Sequence, residues 1–197
     1  MWIRRSYFVV ILALLAVRVV DAATVLGPAN GITGIEDLSV TLSNGQIATF
    51  DVTFEAGASY NSVYASSPPL FLNDQPDANS VTSAILSVLN ATNATGLVGP
   101  DNFPGQFCCQ PYNGFLVPFQ QLLGGFNIPL NSNAAGGVTA SGLWISTGTF
   151  NAENAEILDQ NYLTYAVVQP VPLPAAAWLL LSGLGGLGAM LRKRSLA

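Results

Sequence analysis

Residues 38–54 read LSVTLSNGQIATFDVTF, and this stretch decides the fold. Apolar and polar side chains alternate in residues 38–42 and again in residues 48–54. A period of two is typical of a strand that buries one of its faces. The segment Ser43–Gly45 between the two runs reads Ser-Asn-Gly, a composition typical of tight turns. The stretch therefore predicts a β-hairpin with a polar outer face.

A helix is predicted downstream of the hairpin, because apolar residues recur there at intervals of three and four and so share one face. These residues are Val81, Ala84, Ile85, Val88 and Leu89. Asp77 or Asn79 is predicted to cap the helix, since a side-chain oxygen can accept a hydrogen bond from a first-turn N–H. Residues 90–96 are predicted to close the helix. They contain Asn-Ala-Thr sequences at Asn90 and Asn93, which we interpret as incidental.

The other segments between residues 62 and 169 give weaker patterns. Residues 115–119 are predicted to be a strand. Proline has no N–H to donate, so Pro118 indicates either an edge strand or the end of a strand. The remaining predictions are loops at 66–76, 99–114 and 122–137, strands at 142–150 and 162–169, a short extension at 62–65 and a helical turn at 151–159.

The predicted fold class is α+β. It consists of a mostly antiparallel β-sheet with one packed helix, followed by a C-terminal transmembrane helix. An all-β sandwich with a short surface helix is the alternative.

The N-terminus has the three parts of a secretory signal peptide. Two arginines precede the apolar segment 7–17, and Val20 and Ala22 occupy the small-residue positions of a cleavage site. We therefore predict a signal peptide at residues 1–22, cleaved after Ala22, and an exported domain at residues 23–169.

The C-terminus has a second set of three elements. Residues 170–174 form a Pro-rich linker and motif, the seventeen residues 175–191 carry no charge, and residues 192–197 begin with a basic cluster. As a helix, the uncharged span is about 26 Å long, enough for a short transmembrane helix. Basic clusters stay on the cytoplasmic side, so the domain lies outside the cytoplasm. An ordinary single-pass anchor is the alternative, but it does not require the two prolines.

This tail resembles a PEP-CTERM sorting signal, and more narrowly its VPLPA variant. Val171, Pro172, Leu173, Pro174 and Ala175 match the motif, and Arg192, Lys193 and Arg194 match the membrane stop. The resemblance implies an exported protein of a Gram-negative bacterium, held in the inner membrane and recognised by an exosortase, a membrane-embedded cysteine transpeptidase-like enzyme. It also implies association with extracellular polysaccharide and biofilm. The commonest family form has Glu between the prolines, where this chain has Leu173.

The charge distribution excludes several functions. All six basic residues lie in the terminal segments, and residues 23–170 keep ten acidic residues with no Lys, Arg or His, a formal charge of −10. Nucleic-acid binding depends on basic side chains and is excluded. The imidazole and amine groups of Ser-His-Asp, Cys-His and Schiff-base chemistry are missing as well. The missing catalytic groups favour a non-enzymatic protein, and the resemblance of the tail implies that it acts at the cell surface or in the extracellular matrix.

Acidic residues supply the remaining candidate sites. Three carboxylate pairs could flank a glycosidic bond, although solvated loop charge is the simpler interpretation. These pairs are Glu36 with Asp37, Asp74 with Asp77, and Glu153 with Glu156. Four side-chain oxygens in one loop suit Ca²⁺, with helix capping as the competing role. They belong to Asn73, Asp74, Asp77 and Asn79. A permanently anchored glycan- or Ca²⁺-binding module is therefore the alternative function.

The two cysteines, Cys108 and Cys109, are adjacent. Their Cα atoms lie about 3.8 Å apart across a trans peptide, closer than a disulfide normally allows. We predict free, partly buried thiols, and a crosslink to another chain is the alternative.

Overall fold

The computed structural model describes residues 22–64, 66–99, 114–123, 129–139, 141–153 and 163–171. The rest of the predicted signal peptide, the cysteine pair, the apolar span and the basic tail lie outside these ranges. The elements are β1 (Thr24–Leu26), β2 (Gly34–Thr41), β3 (Ile47–Ala56), α1 (Tyr60–Tyr64), α2 (Gln75–Ala91), β4 (Gly114–Leu123), β5 (Pro129–Val138), β6 (Trp144–Glu153) and β7 (Thr164–Pro170). Within the described ranges, no helix has both the length and the apolar character to cross a bilayer.

The seven strands form one sheet in the order β1-β2-β3-β7-β4-β5-β6. Neighbouring strands are antiparallel except for β4 and β7, which are parallel where Leu116 lies opposite Tyr165. The sheet is therefore mixed, and it is accompanied by two helices. The combination of one sheet with packed helices agrees with the predicted α+β class.

The predicted β-hairpin is confirmed as β2 and β3, which pair antiparallel. The turn closes with a hydrogen bond of 2.8 Å from the Leu42 N–H to the Gln46 carbonyl oxygen. Gly45 has a φ of +81°, which glycine adopts without a steric cost. The inward side chains are all buried, and they are Leu38, Val40, Phe50, Val52 and Phe54.

The predicted helix is confirmed as α2, which contacts β2, β4, β5 and β6. Because β2 and β6 lie near opposite edges, the sheet curls around the helix. Val81, Ile85 and Leu89 are fully buried at this contact, as their spacing predicts. Burying side chains of this size contributes about 1.5–3 kcal/mol each, so this contact supplies a large share of the domain's stability.

The predicted caps at Asp77 and Asn79 are wrong. The N-cap is Asp74, whose side chain accepts a hydrogen bond of 3.1 Å from the Asp77 N–H. Proline fits the first helical turn because the N–H it lacks has no partner there, and Pro76 lets the helix begin earlier than the apolar pattern indicates.

The predicted loop at residues 122–137 is also wrong, because β4 continues to Leu123 and β5 occupies most of the remainder. The segment lacks an apolar alternation, yet its small residues suit a crowded position. At Gly136, a Cβ atom would lie 2.7 Å from the Phe115 ring and 2.8 Å from Leu86. Small side chains are therefore what allows α2 to approach this strand.

Both predicted positions for Pro118, an edge strand and a strand end, are wrong too, because Pro118 lies in the middle of β4. β4 lies between β7 and β5, and its pairing with β5 shifts by one residue directly after Pro118. A β-bulge of this kind accommodates a proline inside a sheet. The predicted extension at residues 62–65 is replaced by α1.

The last two predicted strands are confirmed with altered ends. β6 continues to Glu153, so residues 151–153 of the predicted helical turn are strand, and the rest of that prediction lies outside the described ranges. β7 ends at Pro170, one residue into the predicted linker.

Candidate functional site

Both ends of the described domain lie at the same end of the sheet. β7 runs toward the β2–β3 turn, because it pairs antiparallel with β3. β1 pairs antiparallel with β2 and therefore runs away from that turn. The chain thus enters at Ala22 and leaves at Val171 on one side of the molecule. We call this side the exit end and define it by Ala22, the turn 42–46 and Val171.

The junction between the domain and the predicted sorting motif is part of the sheet. The Val171 N–H donates a hydrogen bond of 3.0 Å to the Thr49 carbonyl oxygen, one residue beyond the last strand pair. Pro170 lies opposite Phe50. In an antiparallel ladder, successive residues alternate between bonded and non-bonded pairs, so Pro170 occupies a position where its missing N–H is not needed.

The predicted linker from residue 170 is therefore corrected at its first residue. Pro170 is strand, and Val171 is half-buried and bonded to β3. The other motif residues, Pro172, Leu173, Pro174 and Ala175, lie outside the described ranges, as do Val20 and the stop residues Arg192, Lys193 and Arg194. Ala22 is exposed at the start of the domain, two residues before β1.

Among the residues proposed to bind Ca²⁺, Asp74 caps α2 and Asp77 joins this helix to the hairpin turn. Asp77 is buried, and one of its carboxylate oxygens accepts a hydrogen bond of 2.6 Å from the Ser43 N–H. Hydrogen bonds from the Ser43 hydroxyl and backbone N–H lower the pKa of Asp77 and outweigh the opposing effect of burial. Asp77 is therefore ionised at neutral pH and ties α2 to the turn of the hairpin.

The two asparagines among the candidate Ca²⁺ ligands form no contact with other described residues that indicates a metal site. Asn73 has a φ of +66°, and Asn79 is exposed on α2. Across the described ranges, no three His, Cys, Asp or Glu side chains are grouped as a metal site would require. Calcium binding by this loop stays a prediction.

The two members of the acidic pair in β2 lie in different environments. Glu36 is exposed, whereas Asp37 lies at a break in the β2–β3 register and has a φ of +56°. The Asp37 N–H donates a hydrogen bond of 3.1 Å to a carboxylate oxygen of Asp51. That Asp51 oxygen therefore holds the irregular backbone in place. The side chains of Glu153 and Glu156 are not described, so that pair stays a prediction.

A structural contact at the opposite end of the sheet has no counterpart among the predictions. The Asn90 amide donates a hydrogen bond of 2.9 Å to the Trp144 carbonyl oxygen and accepts one of 2.8 Å from its N–H. The Trp144 indole donates a third, of 2.7 Å, to the Ala94 carbonyl oxygen. Because its amide is engaged twice, Asn90 serves the fold. We call this region, comprising Asn90, Ala94 and residues 143–145, the distal end.

Three tyrosines form a cluster on the face of the sheet that α2 does not cover. Tyr60 and Tyr64 of α1 pack on Tyr165 of β7, with ring centroids 6.4 and 6.0 Å from that residue. Burial raises the pKa of Tyr64 above its ordinary value, and the neighbouring Tyr165 adds to this effect. The Tyr64 phenol is therefore protonated at neutral pH, and the cluster acts as a small core beneath α1.

Comparisons of the chain with protein-family models, with curated proteins and with solved structures find no match.

Proposed function

We propose that the chain is an exported, non-enzymatic cell-surface or extracellular-matrix protein that an exosortase processes through the C-terminal tail. The observation that carries the proposal is the order of the three tail elements, namely the motif 171–175, the uncharged span 175–191 and the basic cluster at 192–194. In this proposal, the span is a transmembrane helix in the inner membrane. The domain lies outside the cytoplasm before processing and is at the cell surface or extracellular afterwards.

The boundaries of the folded domain support this proposal. β1 begins at Thr24, two residues after the predicted signal cleavage, and β7 ends one residue before the motif. The core is built from strands and helices between these two points. Cleavage at either end would therefore leave the sheet and its core intact.

The chemistry of residues 23–170 supports a binding or structural role. The segment has no His or Lys. Among its described carboxylates, Asp51, Asp74 and Asp77 accept hydrogen bonds from backbone N–H groups. Groups used in this way stabilise the fold and are poorly placed to exchange protons with a substrate. Extracellular polysaccharide is the partner that the resemblance of the tail suggests.

Mass spectrometry of the mature C-terminus tests the proposal. In cells that contain the exosortase, we expect the mature protein to end near Pro174 and to lack Arg192–Arg194. In cells without the enzyme, the tail should remain. An intact tail in both strains would overturn the proposal and would favour the permanently anchored module.

Two matched proline variants sharpen this experiment. The double variant Pro172→Ala, Pro174→Ala changes the extended character of the motif, because proline favours a polyproline-like backbone, and we expect it to retain the tail. Pro170→Ala is the control, since Pro170 lies in β7 and precedes the motif. Equal processing of the double variant and the control would contradict recognition of the motif.

A further inference from the structure

We propose that the exit end rests on the lipid surface of the membrane while the tail is attached. The inference rests on the proposed function, because it requires residues 175–191 to span the bilayer. The proposed partner is the headgroup layer of the leaflet on the side of the exported domain.

The length of the tether sets the geometry of this contact. Val171 is bonded to Thr49 in the sheet, and the apolar span begins four residues later, at Ala175. Four residues reach at most about 14 Å when fully extended. The headgroup layer on one side of a bilayer occupies roughly 6 Å of that distance. The end of β7 is therefore held close above the headgroups.

The hairpin turn projects beyond this attachment point in the direction of the exit. Gly45 lies four residues before Thr49 in the chain, which corresponds to about 13 Å along a strand. The turn thus extends about as far as the tether does. A domain held in this way touches the headgroups with the turn of its β2–β3 hairpin.

Exposed apolar side chains lie near the exit end. Ile47, at the start of β3, is 70% exposed, and Leu70 and Leu72 are 47% and 39% exposed. The two leucines flank Phe71, whose ring packs edge-on against Phe50 with centroids 5.8 Å apart. Since Phe50 lies opposite Pro170, this loop is beside the end of β7. Apolar groups so placed can enter the interface of a bilayer.

The other surfaces of the sheet fit a membrane less well. The outer face of β3 carries Asp51 and Glu55, and the opposite face is covered by α2. The distal end also has exposed apolar side chains, namely those of Leu143 and Ile145. Apolar exposure alone therefore does not select a surface. The position of Val171 does, because the proposed transmembrane helix follows it in the chain and Val171 lies at the exit end.

The contact depends on the tail. Residues 23–170 have no Lys or Arg, so anionic headgroups do not attract the domain electrostatically. A short tether compensates by keeping the apolar groups at a high effective concentration near the lipid. Cleavage in the motif removes the tether, and we expect the domain, with its charge of −10, to leave the surface.

Fluorescence quenching in vesicles tests the inference on the full-length chain. Three variants carry one fluorophore each, at Ile47→Cys, Leu143→Cys or Leu180→Cys, in a background with Cys108→Ser and Cys109→Ser. Ile47 and Leu143 are matched, because both are exposed aliphatic residues at opposite ends of the sheet. The vesicles contain phosphatidylethanolamine and phosphatidylglycerol, with nitroxide lipids labelled either at the headgroup or in the acyl chain.

We expect the headgroup nitroxide to quench the label at position 47 at least about twofold more than the label at position 143, because the two ends lie roughly 30 Å apart along the strands. The acyl-chain nitroxide should quench the label at position 180. Suppose that the label at position 180 is quenched, but the headgroup nitroxide quenches the labels at 47 and 143 equally. This result would overturn the membrane contact, while the transmembrane anchor would still be supported. An unquenched label at 180 would overturn the anchor and the contact together.

Discussion

The two ends of α2 are joined to the sheet by chemically different groups. At the exit end, Asp74 caps the helix and Asp77 accepts a hydrogen bond from the Ser43 N–H. At the distal end, the amide of Asn90 pairs with both backbone groups of Trp144. Carboxylates therefore hold one end of the helix, and a neutral amide holds the other.

The macrodipole of the helix gives a physical reason for this difference. The N-terminus of a helix carries partial positive charge, so carboxylates stabilise it, whereas Lys, Arg or His commonly stabilises the C-terminus. α2 has no basic residue in its last turn, and residues 23–170 contain none at all. A domain without cations has to close the C-terminus with neutral groups. The Thr92 N–H and hydroxyl donate hydrogen bonds to the Val88 carbonyl oxygen, and the Asn90 amide joins this end of the helix to Trp144. We therefore expect acid to weaken the attachment of α2 at the exit end and to leave its attachment at the distal end unchanged.

The largest effect is expected from the variant Trp144→Ala, which removes the side-chain contacts of Trp144 at the distal end. The side chain is 2% exposed, packs near the Phe115 ring and donates a hydrogen bond to Ala94. Its removal leaves a large cavity and an unpaired carbonyl oxygen, so we expect a loss of about 4 kcal/mol in the free energy of unfolding. Urea unfolding in mild detergent, followed by far-UV circular dichroism, measures this loss.

Leu143→Ala is the control for Trp144→Ala. Leu143 precedes Trp144 and is 54% exposed, so its truncation should change the free energy of unfolding by no more than about 0.5 kcal/mol. Similar losses in the two variants would show that Trp144 is not the anchor of the distal end.

The two ends also differ in how far the sequence predicts them. The hairpin and the apolar face of α2 follow from periodicity, because each pattern is local. The cap at Asp74 is missed because Pro76 extends the helix beyond its apolar residues. The pairing of Asn90 with Trp144 joins residues 54 positions apart, and the sequence around Asn90 displays only an Asn-Ala-Thr pattern.

The sequence pattern does not indicate β5, and the reason is how this strand packs. A strand covered on both faces needs small side chains where neighbours approach closely, and such a segment resembles a loop in composition. Gly136 illustrates this, since Phe115 and Leu86 occupy the space that a larger side chain would need. An alternation of apolar and polar residues identifies strands with one solvent-exposed face, such as β3. It does not identify strands that are covered on both faces, such as β5.

A smaller effect is expected from Asn90→Ala, which removes the amide but leaves Trp144 in place. The N–H and carbonyl groups of Trp144 then lose their side-chain partner in a partly buried position. We expect a loss of about 2 kcal/mol in the free energy of unfolding. Asn79→Ala is the control, because Asn79 is exposed on the same helix and alanine favours a helical backbone.

The variant Asn90→Asp tests whether the neutral charge of this amide matters. A carboxylate at this position would face the Trp144 carbonyl oxygen and the negative end of the helix, so both neighbours disfavour its charge. We expect this variant to be destabilised at neutral pH and to regain stability as the pH falls and the new carboxyl group is protonated. Equal stability of Asn90→Asp and the parent chain at neutral pH would show that the C-terminus of α2 does not require a neutral group at this position.

The smallest effect at neutral pH is expected from Asp77→Asn at the exit end. An amide keeps an oxygen that can accept from Ser43, so the change mainly removes charge. In the parent chain, hydrogen bonds from Ser43 lower the pKa of Asp77 in the folded state below its value in the unfolded state. The resulting stabilisation is complete above the unfolded pKa, near 3.9, and is lost as the pH falls through the folded pKa.

Urea unfolding at a series of pH values measures this contribution. From about pH 5 downward, the free energy of unfolding should fall less steeply in Asp77→Asn than in the parent chain. Glu36→Gln is the control, because Glu36 is an exposed carboxylate on β2. A parent and an Asp77→Asn variant with the same acid dependence would show that the exit end is not held by this carboxylate. The two variants should therefore respond to acid in opposite ways. Asp77→Asn should lose less stability than the parent chain as the pH falls, whereas Asn90→Asp should gain stability.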